Sequence, residues 1–84
     1  MKTVYKQPVV VVDHQVVRLN PDEEEEQWSI QFPDFNDSFF QSLVSINGSK
    51  WDRNQRIMFV PLAAISKNEL ENLIAGEGYD KKFN

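Results

Sequence analysis

The sequence predicts an α+β fold in which an antiparallel sheet carries its helices on one face. Residues 27–32 alternate apolar and polar side chains, which is the period-two pattern of a half-buried strand. After a predicted turn at Pro33–Asn36, the apolar residues within 37–46 recur at helical spacing. Because strands and helices interleave without an internal repeat or a linker, we predict one small domain over residues 1–84 with the order β-β-β-α-β-β-α.

The N-terminal third predicts a hairpin followed by a loop. Val9–Val12 is a β-branched run, and after three polar residues it is followed by Val16–Leu19, so we expect a hairpin with its turn at residues 13–15. A proline and five consecutive carboxylates then end the second strand, because proline lacks an N–H donor and clustered like charges repel. We therefore predict an exposed acidic loop over residues 20–26.

The later elements are predicted from turn and cap signals. Asn47-Gly48 ends the first helix, and residues 50–60 predict a second hairpin before the next proline. Ser66 to Glu69 forms a capping box, so we expect a helix over Lys67–Gly76. The tail at 79–84 is expected to be frayed.

The charge of the chain is unevenly distributed. The formal net charge is -4, from nine basic and thirteen acidic side chains. Five of the carboxylates lie together in Asp22–Glu26, and without them the rest of the chain carries +1. Between Gly48 and Lys67, four basic residues face a single acidic one. A net negative charge disfavours phosphate binding in general, but the middle of the chain is basic.

Several classes of chemistry are not expected. The absence of cysteine excludes disulfides, thiolate metal sites and a cysteine nucleophile. The only histidine, His14, falls in a predicted turn, and the acidic run lacks the alternating ligands and glycine of a calcium loop. The glycines do not form a phosphate-binding loop. We therefore predict a protein that is not an enzyme and has no cofactor and no metal.

The sequence also predicts a cytoplasmic location. The basic N-terminus meets Gln7 and Pro8 before any apolar run long enough for a signal peptide. No stretch approaches the roughly 20 apolar residues of a membrane span. We expect no membrane partner.

The most informative segment runs from Phe35 to Pro61, where an amphipathic helix, a glycine and a basic hairpin follow one another. We expect Trp51 and Phe59 to pack the hairpin against the helix through large buried faces. The residues whose spacing carries a family resemblance are Ile46, Gly48, Lys50, Trp51, Arg56, Phe59, Val60 and Pro61.

This spacing resembles the N-terminal region of phage-type tyrosine recombinases (integrases), and the Gly48-x-x-Trp51-Asp52 pattern is similar to that of HARP-type domains in annealing helicases. The resemblance implies an accessory DNA-contacting module from a phage or mobile element. It does not imply strand cleavage, because no recombinase Arg/His cluster with a tyrosine nucleophile follows. The sequence also departs from the pattern at Met58, where those families usually have a second tryptophan.

The predicted nucleic-acid-binding residues are the cations and amides of this basic stretch: Lys50, Arg53, Asn54, Gln55, Arg56 and Lys67. The cations would bind phosphates, and the amides at the hairpin tip could reach the edges of adenines. The alternatives are a solvated basic hairpin, ordinary turn polarity for the amides, and a purely structural role for the tryptophan.

A second class of function is a protein-interaction module, such as an adaptor or inhibitor. The run Glu23–Glu26 could bind a basic partner surface. The edge of the Val9–Val17 hairpin could pair with a partner strand or across a homodimer.

Overall fold

The computed structural model describes residues 8–34 and 36–84, and it contains a five-stranded sheet with two helices. In chain order the elements are β1 (Val9–Asn20), β2 (Glu23–Gln31), α1 (Asp37–Val44), β3 (Lys50–Asp52), β4 (Ile57–Pro61), α2 (Lys67–Gly76) and β5 (Asp80–Phe83). The α+β class is confirmed. The strand order across the sheet is β3-β4-β2-β1-β5, and all neighbours are antiparallel except β1 and β5, which are parallel. Phe35 of the predicted turn and residues 1–7 lie outside the described residues.

The predicted N-terminal hairpin and acidic loop are wrong. β1 continues through the polar residues 13–15, which pair with residues 27–29 of β2. The chain reverses later, at Asn20, whose side chain accepts a hydrogen bond from the Asp22 backbone N–H at 3.0 Å. The acidic residues Glu23–Glu26 begin β2. Successive strand residues point to opposite faces, so the pleat divides these four carboxylates between the two sides of the sheet.

The predicted frayed tail is also wrong. β5 pairs with the first residues of β1, and the Asn84 N–H donates to the Val12 carbonyl at 2.9 Å. Phe83 meets Trp28 edge to face, with ring centroids 5.8 Å apart. The predicted order β-β-β-α-β-β-α is therefore wrong. The two predicted N-terminal strands are the single strand β1, and the tail forms β5, so the observed order is β-β-α-β-β-α-β.

The core lies between one face of the sheet and both helices. The fully buried side chains include Ile30, Met58 and Val60 from the sheet, Phe39 and Leu43 from α1, and Leu70 and Ile74 from α2. The inward direction predicted for the alternating residues of β2 is confirmed. The capping box of α2 is also confirmed, since the Glu69 N–H donates to the Ser66 hydroxyl at 3.2 Å.

The two aromatic residues predicted to pack the second hairpin against α1 lie on opposite faces. Trp51 pairs with the buried Met58, so it faces the helices, and it meets Phe40 at 5.1 Å between ring centroids. Phe59 is one residue further along β4 and faces the side of the sheet opposite the helices, next to Lys50. The prediction is therefore confirmed for Trp51 and wrong for Phe59.

Candidate nucleic-acid interface

The turn between β3 and β4 is held by its first residue. One carboxylate oxygen of Asp52 accepts hydrogen bonds from the backbone N–H groups of Asn54 at 2.9 Å and Gln55 at 3.1 Å. Asp52 therefore stabilises the turn itself. Residues 53–56 are exposed.

Arg56 closes this turn in a backbone conformation that arginine rarely adopts. Its φ is 58°, in the left-handed region, where a side chain costs about 1–2 kcal/mol relative to the right-handed region. Glycine or asparagine would take this position at a lower cost. A left-handed residue commonly closes a short hairpin loop, so the turn geometry accounts for this φ, and an arginine occupies the position at a conformational cost.

A cleft of about 430 Å³ opens beside the turn. Its lining residues are Phe32, Asp34, Trp51, Arg53 and Arg56. The register explains how they meet: Gln31 at the end of β2 pairs with Ile57 at the start of β4, so the residues after β2 lie beside the β3–β4 turn. The cleft thus combines aromatic surface with two guanidinium groups and one carboxylate.

A hydrogen bond from Tyr79 orients the carboxylate that lines the cleft. Asp34 accepts a hydrogen bond from the Tyr79 hydroxyl at 2.9 Å. Burial raises the pKa of Tyr79 above its usual 10.0, and the hydrogen bond to Asp34 adds to this rise while Asn36 opposes it. Tyr79 therefore stays protonated at neutral pH and keeps donating to Asp34.

The acidic run does not neutralise the two arginines. Glu24 pairs with Arg18 at 3.3 Å, and within residues 8–34 and 36–84 no ion pair within 4.0 Å involves Arg53 or Arg56. Even Glu26, the acidic residue of the run nearest the turn, lies five residue steps before Gln31, which is about 17 Å along a strand. That distance exceeds the Debye length of about 8 Å at physiological salt. Salt therefore screens the acidic run from the turn, and the electrostatic potential at Arg53 and Arg56 is set mainly by groups close to them.

The structure brings together only some of the predicted site residues. Arg53 and Arg56 line one cleft, and Asn54 and Gln55 are exposed at the tip of the same turn. Lys50 belongs to the same hairpin but, as the neighbour of Trp51 in β3, points to the other face of the sheet.

Lys67 is separate from this site. Its ammonium group lies 5.1 Å from the centre of the Phe83 ring in β5. β5 and β3 form opposite edges of the sheet, and four strand spacings make this roughly 19 Å. α2 begins over the far edge of the sheet, so the predicted nucleic-acid-binding residue Lys67 does not join Arg53 and Arg56 in one site.

Phe32 and Asp34 were not predicted as site residues. Neither residue stands out in the sequence as a binding residue, because Phe32 belongs to an alternating strand pattern and Asp34 to a predicted turn. The pairing of β2 with β4 is the signal that would have placed them beside the turn.

Comparison with protein-family models, with curated proteins and with solved structures finds no match to this chain. The resemblance to the recombinase and HARP-type segments therefore stays a prediction. In the part of the chain that the structure describes, neither helix has the length and apolar character needed to cross a membrane.

Proposed function

We propose that this chain is a non-catalytic nucleic-acid-binding module that contacts the phosphates of DNA through Arg53 and Arg56. The observation that carries the proposal is the position of two exposed guanidiniums beside an aromatic cleft, with no ion pair to any described residue. A guanidinium presents a planar fork of donors that suits phosphate oxygens.

Two further features support the proposal. The amides of Asn54 and Gln55 are exposed on the same turn and could add contacts to bases or sugars. The recombinase-like segment includes Trp51 and Arg56, so the resemblance and the cleft lead to the same residues.

The test is a fluorescence anisotropy titration of labelled duplex and single-stranded oligonucleotides at two salt concentrations. Two phosphate contacts give a salt slope of about -1.4 to -1.8, so the affinity should fall about 7- to 12-fold between about 50 and 200 mM salt. The double variant Arg53→Glu/Arg56→Glu should lose retention of both oligonucleotides.

The matched control is Lys67→Glu/Lys82→Glu. Both double variants change the net charge from -4 to -8, because each reversal subtracts two charges. The control charges lie at the β5 edge, so this variant should keep most of the wild-type affinity. Equal losses in the two variants, or no binding by the wild-type chain at low salt, would reject the proposal.

A second candidate is binding of a basic protein segment to the far end of the molecule. On the N-terminal side of Gln27, β2 is no longer paired with β4, and β1 and β2 continue as a two-stranded ribbon that carries Glu23–Glu26. Val16 and Leu19 are 54% and 58% exposed on this ribbon. The ribbon has carboxylates on both faces together with exposed apolar side chains, a combination that suits such a partner. The variant Glu23→Gln/Glu25→Gln should then weaken binding of an oligolysine peptide, measured by calorimetry, and leave the oligonucleotide titrations unchanged.

A further inference from the structure

We infer that the cleft beside the β3–β4 turn seats an unpaired nucleobase, which stacks on Trp51 while Arg53 and Arg56 hold the adjoining phosphates. This inference rests on the proposed nucleic-acid-binding function and narrows it. The ligand class that it names is single-stranded nucleic acid, or a duplex with an unpaired base.

The indole of Trp51 is partly exposed beside the cleft. Trp51 is half-buried, and it meets Phe40 at 89° and Phe32 at 55° between ring planes. Neither contact is a parallel stack. Trp51 lines the cleft and so offers it aromatic surface, on which bases stack whatever their sequence.

The cleft is large enough for a single planar ring system. A volume of about 430 Å³ lies within the range of small-molecule sites, about 300–1,000 Å³, and accommodates one planar base. A paired base keeps its faces inside the duplex stack and cannot enter. Single strands present their bases to aromatic side chains without this cost.

One of the residues that line the cleft, Asp34, carries a carboxylate. A phosphate placed beside Asp34 would be repelled, so the phosphates belong at the rim with the guanidiniums. A base edge is different, because a carboxylate accepts a hydrogen bond from the exocyclic amine of cytosine. Tyr79 orients the carboxylate by donating to one of its oxygens. We therefore expect cytosine to bind more tightly than uracil, which has a carbonyl in place of that amine.

The experiment uses the whole chain labelled with 5-fluorotryptophan and observed by fluorine NMR. The chain has two tryptophans, and Trp28 is 9% exposed in the core, so it serves as an internal control for Trp51. A mixed-sequence single strand should shift the Trp51 resonance and leave the Trp28 resonance in place. The same strand annealed to its complement should shift Trp51 much less.

Two variants test the base contact by anisotropy, after circular dichroism has established that each is folded. Trp51→Leu keeps an apolar side chain against Phe40 and removes the stacking surface, so single-strand affinity should fall about fivefold or more while duplex affinity changes little. Asp34→Asn should remove the preference for oligodeoxycytidylate over oligodeoxyuridylate, because the amide can orient an N–H group toward the base. If either variant unfolds, the fluorine measurement on the wild-type chain still decides the question.

The possible outcomes separate the two proposals. If single strand and duplex bind equally and the Trp51 resonance does not shift, the base-stacking inference is overturned. The proposed phosphate contacts would still stand. No binding of either oligonucleotide at low salt would overturn both. A Trp51 shift with tighter single-strand binding supports both.

Discussion

Replacing Arg56 by glycine should make the protein more stable and a weaker nucleic-acid binder at the same time. The φ of 58° places an arginine where glycine is the unstrained residue. Most arginine-to-glycine changes would destabilise a hairpin, because glycine adds freedom to the unfolded chain. At this position the two effects oppose each other, so the sign depends on their sizes.

The magnitude follows from these two terms. Removing the arginine side chain from the left-handed conformation should raise the free energy of unfolding by about 1–2 kcal/mol. The extra freedom of glycine in the unfolded chain costs about 0.5–1 kcal/mol. We therefore expect a net gain of about 0–1.5 kcal/mol, centred near 0.75 kcal/mol, and the central value raises the melting temperature of a domain of this size by about 3–6 °C. Loss of one phosphate contact should make the salt slope shallower by about 0.7–0.9.

Urea unfolding followed by circular dichroism measures the first effect, and anisotropy titrations at several salt concentrations measure the second. The matched control is Arg53→Gly, which removes the same charge at a residue whose φ is not positive. That variant should lose about 0.5–1 kcal/mol of stability and show the same change in salt slope. Arg56→Gly being less stable than the wild-type chain would refute the reasoning about strain, and an unchanged salt slope would refute the phosphate contact.

Three other changes test the fold. Phe83→Ala should lower the free energy of unfolding by about 2–3 kcal/mol, whereas the exposed Lys82→Ala should change it by less than about 0.5 kcal/mol; equal urea midpoints would mean that the tail is not docked. Burial raises the native pKa of Tyr79, so the unfolded chain loses this proton first and the stability of the wild-type chain should fall above pH 10. In urea titrations from pH 8 to 11, the Tyr79→Phe variant should lose less stability than the wild-type chain, because it has no phenol to ionise. Gly48→Ala should cost about 1–3 kcal/mol in thermal unfolding, since φ is +85° and the new methyl would lie 2.9 Å from Cγ of Pro61; an unchanged melting temperature would contradict this.

The parts of the fold that could be predicted from the sequence are those with local signals. The bounds of α2 match the prediction because a capping box starts the helix. α1 begins where expected and ends at Val44, two residues before the predicted end. The inward residues of 28–32 follow from the period of a strand, which needs no knowledge of its neighbours.

The errors occur where distant residues determine the structure. Residues 13–15 have the composition of a turn, but their pairing with residues 27–29 keeps them extended. The tail at 79–84 has little apolar content of its own, and it is ordered because β1 offers an unpaired edge and Trp28 offers a ring to Phe83. Neither fact is visible in a local window of sequence.

The candidate site divides in the same way. Arg53 and Arg56 share one short turn, so the sequence alone placed them together. Asp34 lies beside the two arginines only because β2 pairs with β4. Lys67 lies far from them because α2 begins over the opposite edge of the sheet. Distance along the chain predicted neither outcome.

The docking of β5 against β1 also bears on the solubility of the protein. The β-branched run Val9–Val12 has the composition of segments that assemble into cross-β fibrils when their edge is bare. In the native sheet this edge is capped by β5, a four-residue strand that carries Lys81 and Lys82, while the other edge is the three-residue β3. Short, charged borders discourage the addition of strands from other molecules. We expect proteolytic loss of the residues after Gly78 to expose the valine run and to increase aggregation, which light scattering would measure.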